Sequence, residues 1–304
     1  MGRKTRGQVV DGILLLDKPA GISSNRALQR ARGILNARKA GHTGSLDPFA
    51  TGMLPLCFGQ ATRFSQYLLD AGKHYQATAQ LGQATATGDP EGEVVKELAV
   101  PEISNQDLES ALAGLRGQIA QCPPMYSALK HKGQRLYELA RAGIEVERPS
   151  RSVTIHSLEA TVLPGNQLSL AVHCSKGTYI RTLVEDLATA LGTVAYTLTL
   201  RRCWVAPFEG LPMQTLQSLE RDRPDIDLLP VDFAIQWMPK VNLDEDESRA
   251  ALLGQRLKRR VEPMPENEDR SVRLYADDRF IGLGRAVPDG LAPYRMLPQS
   301  TTEP

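Results

Sequence analysis

Apolar positions along this chain fall in short runs that switch between strand and helix periods. Ile13-Leu14-Leu15-Leu16 is a compact apolar run bounded by Gly12 and by Asp17-Lys18-Pro19-Ala20-Gly21, the pattern of a buried strand that ends in a turn. Ser23 and Ser24 offer an N-cap for a helix to about residue 35. Residues 60–69 place Ala61, Phe64, Leu68 and Leu69 at helical spacing and stop at Ala71-Gly72. Residues 73–79 alternate as a strand, and residues 153–163 and 167–174 read as two strands joined through Pro164-Gly165-Asn166. A helix is expected to about residue 191, followed by another alternating strand over 196–204.

The stretch from Gly41 to Pro55 breaks this rhythm. It holds one carboxylate, Asp47, among three glycines and two prolines, so it reads as a shaped loop rather than a plain helix or central strand. Rigid scaffolds present chemistry on such loops, and the groups presented here are His42, Thr43, Ser45 and Asp47. Asp-Pro is also ordinary turn chemistry, in which the carboxylate caps nearby amides. A phosphate loop is disfavoured, because its terminal Gly-Lys-Ser or Gly-Lys-Thr is missing.

Composition narrows the class without naming it. With 41% hydrophobic and 23% charged residues over 304 positions, the chain suits one large and one small soluble domain. Its 36 Lys and Arg balance 35 Asp and Glu, so a nucleic-acid site must come from local clusters. Two clusters qualify. Arg26, Arg30, Arg32, Arg38 and Lys39 lead into the Asp47 loop, and Lys130, His131, Lys132, Arg135 and Arg141 are interleaved with Tyr126 and Tyr137. Cys57, Cys122, Cys174 and Cys203 form no Cys-x-x-Cys pair and read as reduced core thiols, with no metal or cofactor implied. Arg3, Lys4 and Arg6 precede an apolar run too short for a signal peptide or membrane span, so a cytoplasmic protein with no membrane association is expected. Prolines and acidic residues thicken through Pro224-Asp225-Ile226-Asp227 and Asp244-Glu245-Asp246-Glu247, the approach to a domain boundary.

The run Gly41-His42-Thr43-Gly44-Ser45-Leu46-Asp47-Pro48-Phe49-Ala50-Thr51-Gly52-Met53-Leu54-Pro55 closely resembles the catalytic motif of the TruB-type tRNA pseudouridine synthases. Further matches follow in order: the Lys18-Pro19-Ala20-Gly21 element, the strand bearing Tyr75, the Pro123-Pro124-Met125-Tyr126-Ser127-Ala128-Leu129-Lys130 segment, and Gly177-Thr178-Tyr179-Ile180-Arg181. The resemblance spans most of residues 11–205. It implies an α+β fold: a catalytic domain on a mixed or antiparallel sheet over residues 1–247, a thumb-like insertion at about 121–151, and a small C-terminal β-barrel of PUA type over 248–304. It implies isomerisation of uridine 55 in the tRNA T-loop, with tRNA as partner and a monomer needing no other protein.

The same resemblance makes Asp47 the catalytic residue. It implies Tyr75, Tyr179 and Leu200 around the uracil, Arg181 paired with Asp47, His42 filling the space left by a flipped base, and Lys18 as a structural or RNA-contacting member. A flipped-out uridine meeting one carboxylate needs no energy donor. Two other classes compete: a protein that binds or folds tRNA in the same cleft without obligatory catalysis, and a glycosidase, which usually needs two carboxylates where this loop supplies one.

Overall fold

The computed structural model describes residues 7–222, 226–266 and 269–298, so Arg3, Lys4, Arg6, Pro224 and Asp225 lie outside the described residues. The apolar N-terminal run forms β1 (Gly12–Lys18). Ser23 then caps α1 (Ser24–Ile34), its hydroxyl accepting from the Arg26 amide at 3.2 Å. β2 (Ala40–His42) leads into the Asp47 loop, and β3 (Thr51–Phe58) leads out of it. A 3-10 turn (Gly59–Arg63) and α2 (Ser65–Leu69) stand where one helix over 60–69 is expected. Phe64 separates them at φ −108° and ψ 3°, because its fully buried ring packs edge-on against Phe280. Tertiary packing overrides helical spacing there.

β4 (Lys73–Leu81), β5 (Gln83–Thr85), β6 (Val94–Glu97), α3 (Asn105–Ala113) and β7 (Gly117–Gln121) follow. The 121–151 region carries only the short strands β8 (Lys130–His131) and β9 (Gln134–Arg135) and helix α4 (Leu136–Arg141). β10 (Arg151–Leu163), β11 (Gln167–Cys174), α5 (Ile180–Ala190), β12 (Ala195–Val205) and α6 (Leu216–Arg221) come next. Among the described residues the large sheet has the order β1-β3-β12-β4-β11-β10-β7, with β2 paired to β3. Its pairs are antiparallel except β3 with β12.

The cysteines and β3 each correct an expectation: Cys57 and Cys174 are core thiols, whereas Cys122 is exposed and Cys203 half-buried. The glycine and proline content of residues 51–55 predicts loop, yet they open a strand held between β1 and β12. Gly52 makes this possible: it has φ +100°, and a Cβ there would sit 2.2 Å from the Arg202 carbonyl oxygen. Pro55 is tolerated because its carbonyl faces Thr43, accepting from the Thr43 amide at 3.2 Å, so its missing N–H removes no rung to β1.

Packing then fixes the two halves of the site. Ile180, Leu183, Val184 and Leu187 of α5 share one core with Tyr75, Ala77, Leu170 and Leu200 of the sheet. Each such aliphatic side chain contributes roughly 1.5–3 kcal/mol on burial, which anchors the start of α5. At the other end of the sheet, Ala27, Leu28 and Ala31 of α1 pack with Leu14, Leu16, Leu54 and Leu56.

The last segments are β13 (Lys240–Leu243), α7 (Glu245–Leu252), β14 (Ser271–Ala276), β15 (Arg279–Val287) and β16 (Gly290–Met296). Their strands form a four-stranded sheet in the order β13-β14-β15-β16, with Leu257 bridged to Leu291. This small β unit has its own core of Val241, Leu243, Ala251, Val272 and Leu274. Phe64, Ile235, Met238 and Leu283 pack between it and the larger part, beside an Arg273–Asp232 ion pair at 2.9 Å.

Candidate active site

The Asp47 loop is tied down at almost every residue. Ser24 on α1 holds Leu46 twice, its Oγ accepting from the Leu46 amide at 2.7 Å and donating to the Leu46 carbonyl at 3.0 Å. Lys18 at the end of β1 is fully buried, and its Nζ donates to the carbonyls of Pro19, Ile22 and Pro48 at 2.9, 2.8 and 3.1 Å. Burial lowers the Lys18 ammonium to about 8, against the favourable pull of Asp47 and Glu91. Arg202, 1% exposed, donates from Nε to Met53 O at 2.7 Å and from Nη2 to Gly44 O at 3.0 Å, fastening both ends of the loop. Two buried cations thus shape the backbone that presents one carboxylate.

Asp47 keeps 36% of its side chain exposed and meets the buried Arg181, whose Nε lies 2.9 Å from Asp47 Oδ2. The Nε–H is not aligned on that oxygen, so charge holds this pair more than a directed hydrogen bond. Arg181 is itself held rigid, with Nη1 donating to Thr87 O at 2.6 Å and Nη2 to Tyr126 O at 2.7 Å. A second carboxylate, Asp89, lies 3.5 Å from Nη1. Burial is the main reason that Asp47 titrates above the ordinary carboxylate range; Arg181 opposes the shift and Asp89 adds to it. The carboxylate is therefore fixed, reachable and more basic than a free aspartate.

Of the other expected residues, Tyr75 lies close enough to feel the charge of Asp47, and Leu200 packs with the loop's Leu46 and Ala50. Tyr75 on β4 is 7% exposed, its phenol pushed up by burial and sensing Arg202 and Asp47. Leu200 on β12 is the register partner of Ala77 and shares the core with Tyr75, Leu46 and Ala50. Leu200, Phe49, Thr51, Gln76, Glu91 and Arg201 are among the residues lining an open cleft of about 800 Å³. Tyr179 caps α5 two residues before Arg181. His42 ends β2 with its Nδ1 buried and without a hydrogen bond; burial, then Arg202 and Arg135, keep its pKa below the usual value, favouring the neutral ring.

Residues 32–180 match the family model described as TruB family pseudouridylate synthase (N terminal domain), and residues 239–297 match the one described as Pseudouridine synthase II TruB, C-terminal. A tRNA pseudouridine synthase B of Azoarcus sp. (strain BH72) is 50% identical over 304 residues, covering 99% of each chain. The chain belongs to the TruB family of pseudouridine synthases. It is thus an enzyme of the isomerase class. Another TruB-family relative, the tRNA pseudouridine synthase B of Chromohalobacter salexigens, is 48% identical and covers 98% of this chain and 97% of that one. The solved structure described as "Crystal Structure of a Cbf5-Nop10-Gar1 Complex" has a TM-score of 0.70 at 25% identity, over 95% of this chain and 85% of that one. No helix among the described residues is long and apolar enough to cross a membrane.

Sequence reasoning misses several residues placed around this candidate site. Asp89 sits in Thr87-Gly88-Asp89-Pro90, which reads as plain turn chemistry. Arg202 carried a usable signal, because two adjacent arginines on a strand point to opposite faces and one must enter the protein. Its neighbour Arg201 points the other way and pairs with Asp17 at 2.8 Å. Gln121 and Arg151, at the ends of the 121–151 segment, carried no signal at all.

Proposed function

We propose that this chain converts uridine 55 of the tRNA T-loop to pseudouridine, with Asp47 as its catalytic residue. One observation carries the reading: a partly exposed carboxylate held 2.9 Å from a buried arginine, on the loop whose Phe49 and Thr51 help to line the cleft. The relatives' name, tRNA pseudouridine synthase B, supports tRNA as the substrate.

The reaction breaks the N1–C1′ bond, turns the uracil and joins C5 to C1′; the proton leaving C5 is balanced by one gained at N1. Ionised Asp47 serves either of two routes, as a nucleophile toward sugar or base or as the base removing the C2′ proton. Arg181 keeps the carboxylate ionised and oriented. Tyr75, Tyr179 and Leu200 bound the extruded uracil, and neutral His42 fills the vacated stack. Lys18 acts as loop support rather than an RNA contact, since its side chain is buried and its Nζ is engaged by three carbonyls.

The 121–151 segment acts as the thumb over the T-loop; its Arg135, Arg141 and Lys132 are exposed, and both arginines lie within 6 Å of the Tyr137 ring centre. Exposed Arg26, Arg38 and Lys39 extend the basic track. The small C-terminal unit we read as PUA-like and RNA-binding. Its boundary, expected between residues 247 and 248, we place ahead of Lys240, because β13 already pairs with β14.

Pseudouridine mapping of T-loop RNA incubated with the purified protein and no added cofactor tests the reading. Pseudouridine at the loop uridine supports it. Free uracil with an abasic RNA points to the glycosidase, and binding without any conversion points to a folding protein.

A further inference from the structure

Tyr179 is gripped from two sides by residues that bracket the 121–151 segment. Gln121, 1% exposed, closes a reciprocal pair with the Tyr179 backbone: the Tyr179 amide donates to Oε1 at 2.7 Å, and Nε2 donates to the Tyr179 carbonyl at 3.0 Å. Arg151 covers the ring, its guanidinium carbon 5.0 Å from the ring centre. Its Nη2 donates to Gly177 O at 2.5 Å, so the stacking group is tied to the turn that carries the tyrosine. The two gripping residues are themselves partners: Gln121 ends β7, Arg151 opens β10, and they face each other in register.

This arrangement does more than close a loop. Tyr179 has no side-chain cap at the start of α5, so the orientation of its ring depends on what holds its backbone and face. Gln121 fixes that backbone with its two bonds. A stacked guanidinium restrains a phenol ring without occupying its hydroxyl, which leaves that hydroxyl free for a bound base. The chain leaves the sheet at Gln121 and returns at Arg151, so both roots of the segment end on the same tyrosine. Arg181, two residues further on, donates to Tyr126 O inside the segment.

We propose that Gln121 and Arg151 are positioning residues for the isomerisation, acting through the Tyr179 ring and making its placement depend on the seating of the 121–151 segment. This rests on the proposed function, in which Tyr179 borders the uracil. Neither residue need touch the reacting atoms. Losing two buried hydrogen bonds corresponds to roughly a tenfold effect or more.

The test is a double-variant cycle read by single-turnover pseudouridine formation and by tRNA binding. Gln121→Met keeps the side-chain length and removes both bonds; Arg151→Met removes the stacking charge, and Arg151→Lys restores the charge. We expect Gln121→Met and Arg151→Met each to slow conversion at least about tenfold while tRNA Kd changes less than about threefold, with Arg151→Lys recovering part of the rate. In a Tyr179→Ala background the same substitutions should add almost nothing, because their effect runs through the absent ring. Effects that multiply fully with Tyr179→Ala, or that appear wholly in Kd, would overturn the proposal. A wild-type chain that makes no pseudouridine would instead overturn the functional reading, so the two failures are distinct. If Gln121→Met does not fold, the Arg151 arm of the cycle decides alone.

Discussion

Asp47 and Asp89 lean on one guanidinium: Arg181 Nε lies 2.9 Å from Asp47, and Arg181 Nη1 lies 3.5 Å from Asp89. The pairing sets how basic Asp47 is. Its pKa is raised above 3.8, mainly by burial, with Arg181 pulling it down and Asp89 pushing it up. In the proposed mechanism only ionised Asp47 reacts, so the rate should fall with decreasing pH through a limb above the ordinary carboxylate value. Asp89→Asn removes a negative neighbour and should move that limb to lower pH; Arg181→Met removes the positive one and should move it higher. Single-turnover pH profiles of the three proteins check both signs. The matching stability sign is that ionised Asp47 costs stability, a cost fully present above its folded pKa and relieved as pH falls through it.

Arg181→Lys should not rescue Arg181→Met. A lysine supplies a point charge, whereas Arg181 spans two carboxylates and the carbonyls of Thr87 and Tyr126. We expect at least about a hundredfold loss in single-turnover rate for either variant, with tRNA affinity changed far less.

Lys18→Met should weaken the fold by about 1–3 kcal/mol, as three carbonyls lose their shared donor. It should also alter the alkaline pH dependence of stability. The folded pKa of Lys18 is about 8, below the ordinary 10.5. Between those values the unfolded chain holds a proton that the folded chain has released, so stability rises with pH across this window. Lys73, also lowered to about 8, contributes a like slope. Urea titrations from pH 7.5 to 9, below the range in which the raised thiols of Cys57 and Cys174 add the opposite slope, should show a smaller rise for the variant than for wild type.

Gly52→Ala should cost about 3 kcal/mol or more, because the new Cβ would meet the Arg202 carbonyl at 2.2 Å and the residue has φ +100°. The strand carrying Arg202 would be forced away from β3, releasing its hold on Gly44 and Met53. A lower Tm together with a lower rate per folded molecule is the expected outcome.

The strands read at residues 73–79, 153–163, 167–174 and 196–204 and the helix after Ser23 were legible in the sequence, because each follows one hydrophobic period between turn signals. β3 was not legible: its Gly52 and Pro55 are local strand breakers, and only neighbours distant in the chain make them acceptable. Asp47 stood out as the one carboxylate of a long motif. Asp89 and Gln121 stayed hidden for a common reason: each takes its role from a partner more than 50 residues away, at Arg181 and Tyr179. Periodicity reports a residue's face, and it does not report what waits opposite.

The most direct test of the account is Asp47→Asn, measured for T-loop tRNA binding and for single-turnover pseudouridine formation in the same preparation. The substitution keeps the side chain's size while removing the charge that is proposed to react. The account predicts tRNA affinity within about fivefold of wild type and a rate reduced by more than about a thousandfold. Pseudouridine formation retained in that variant would contradict it.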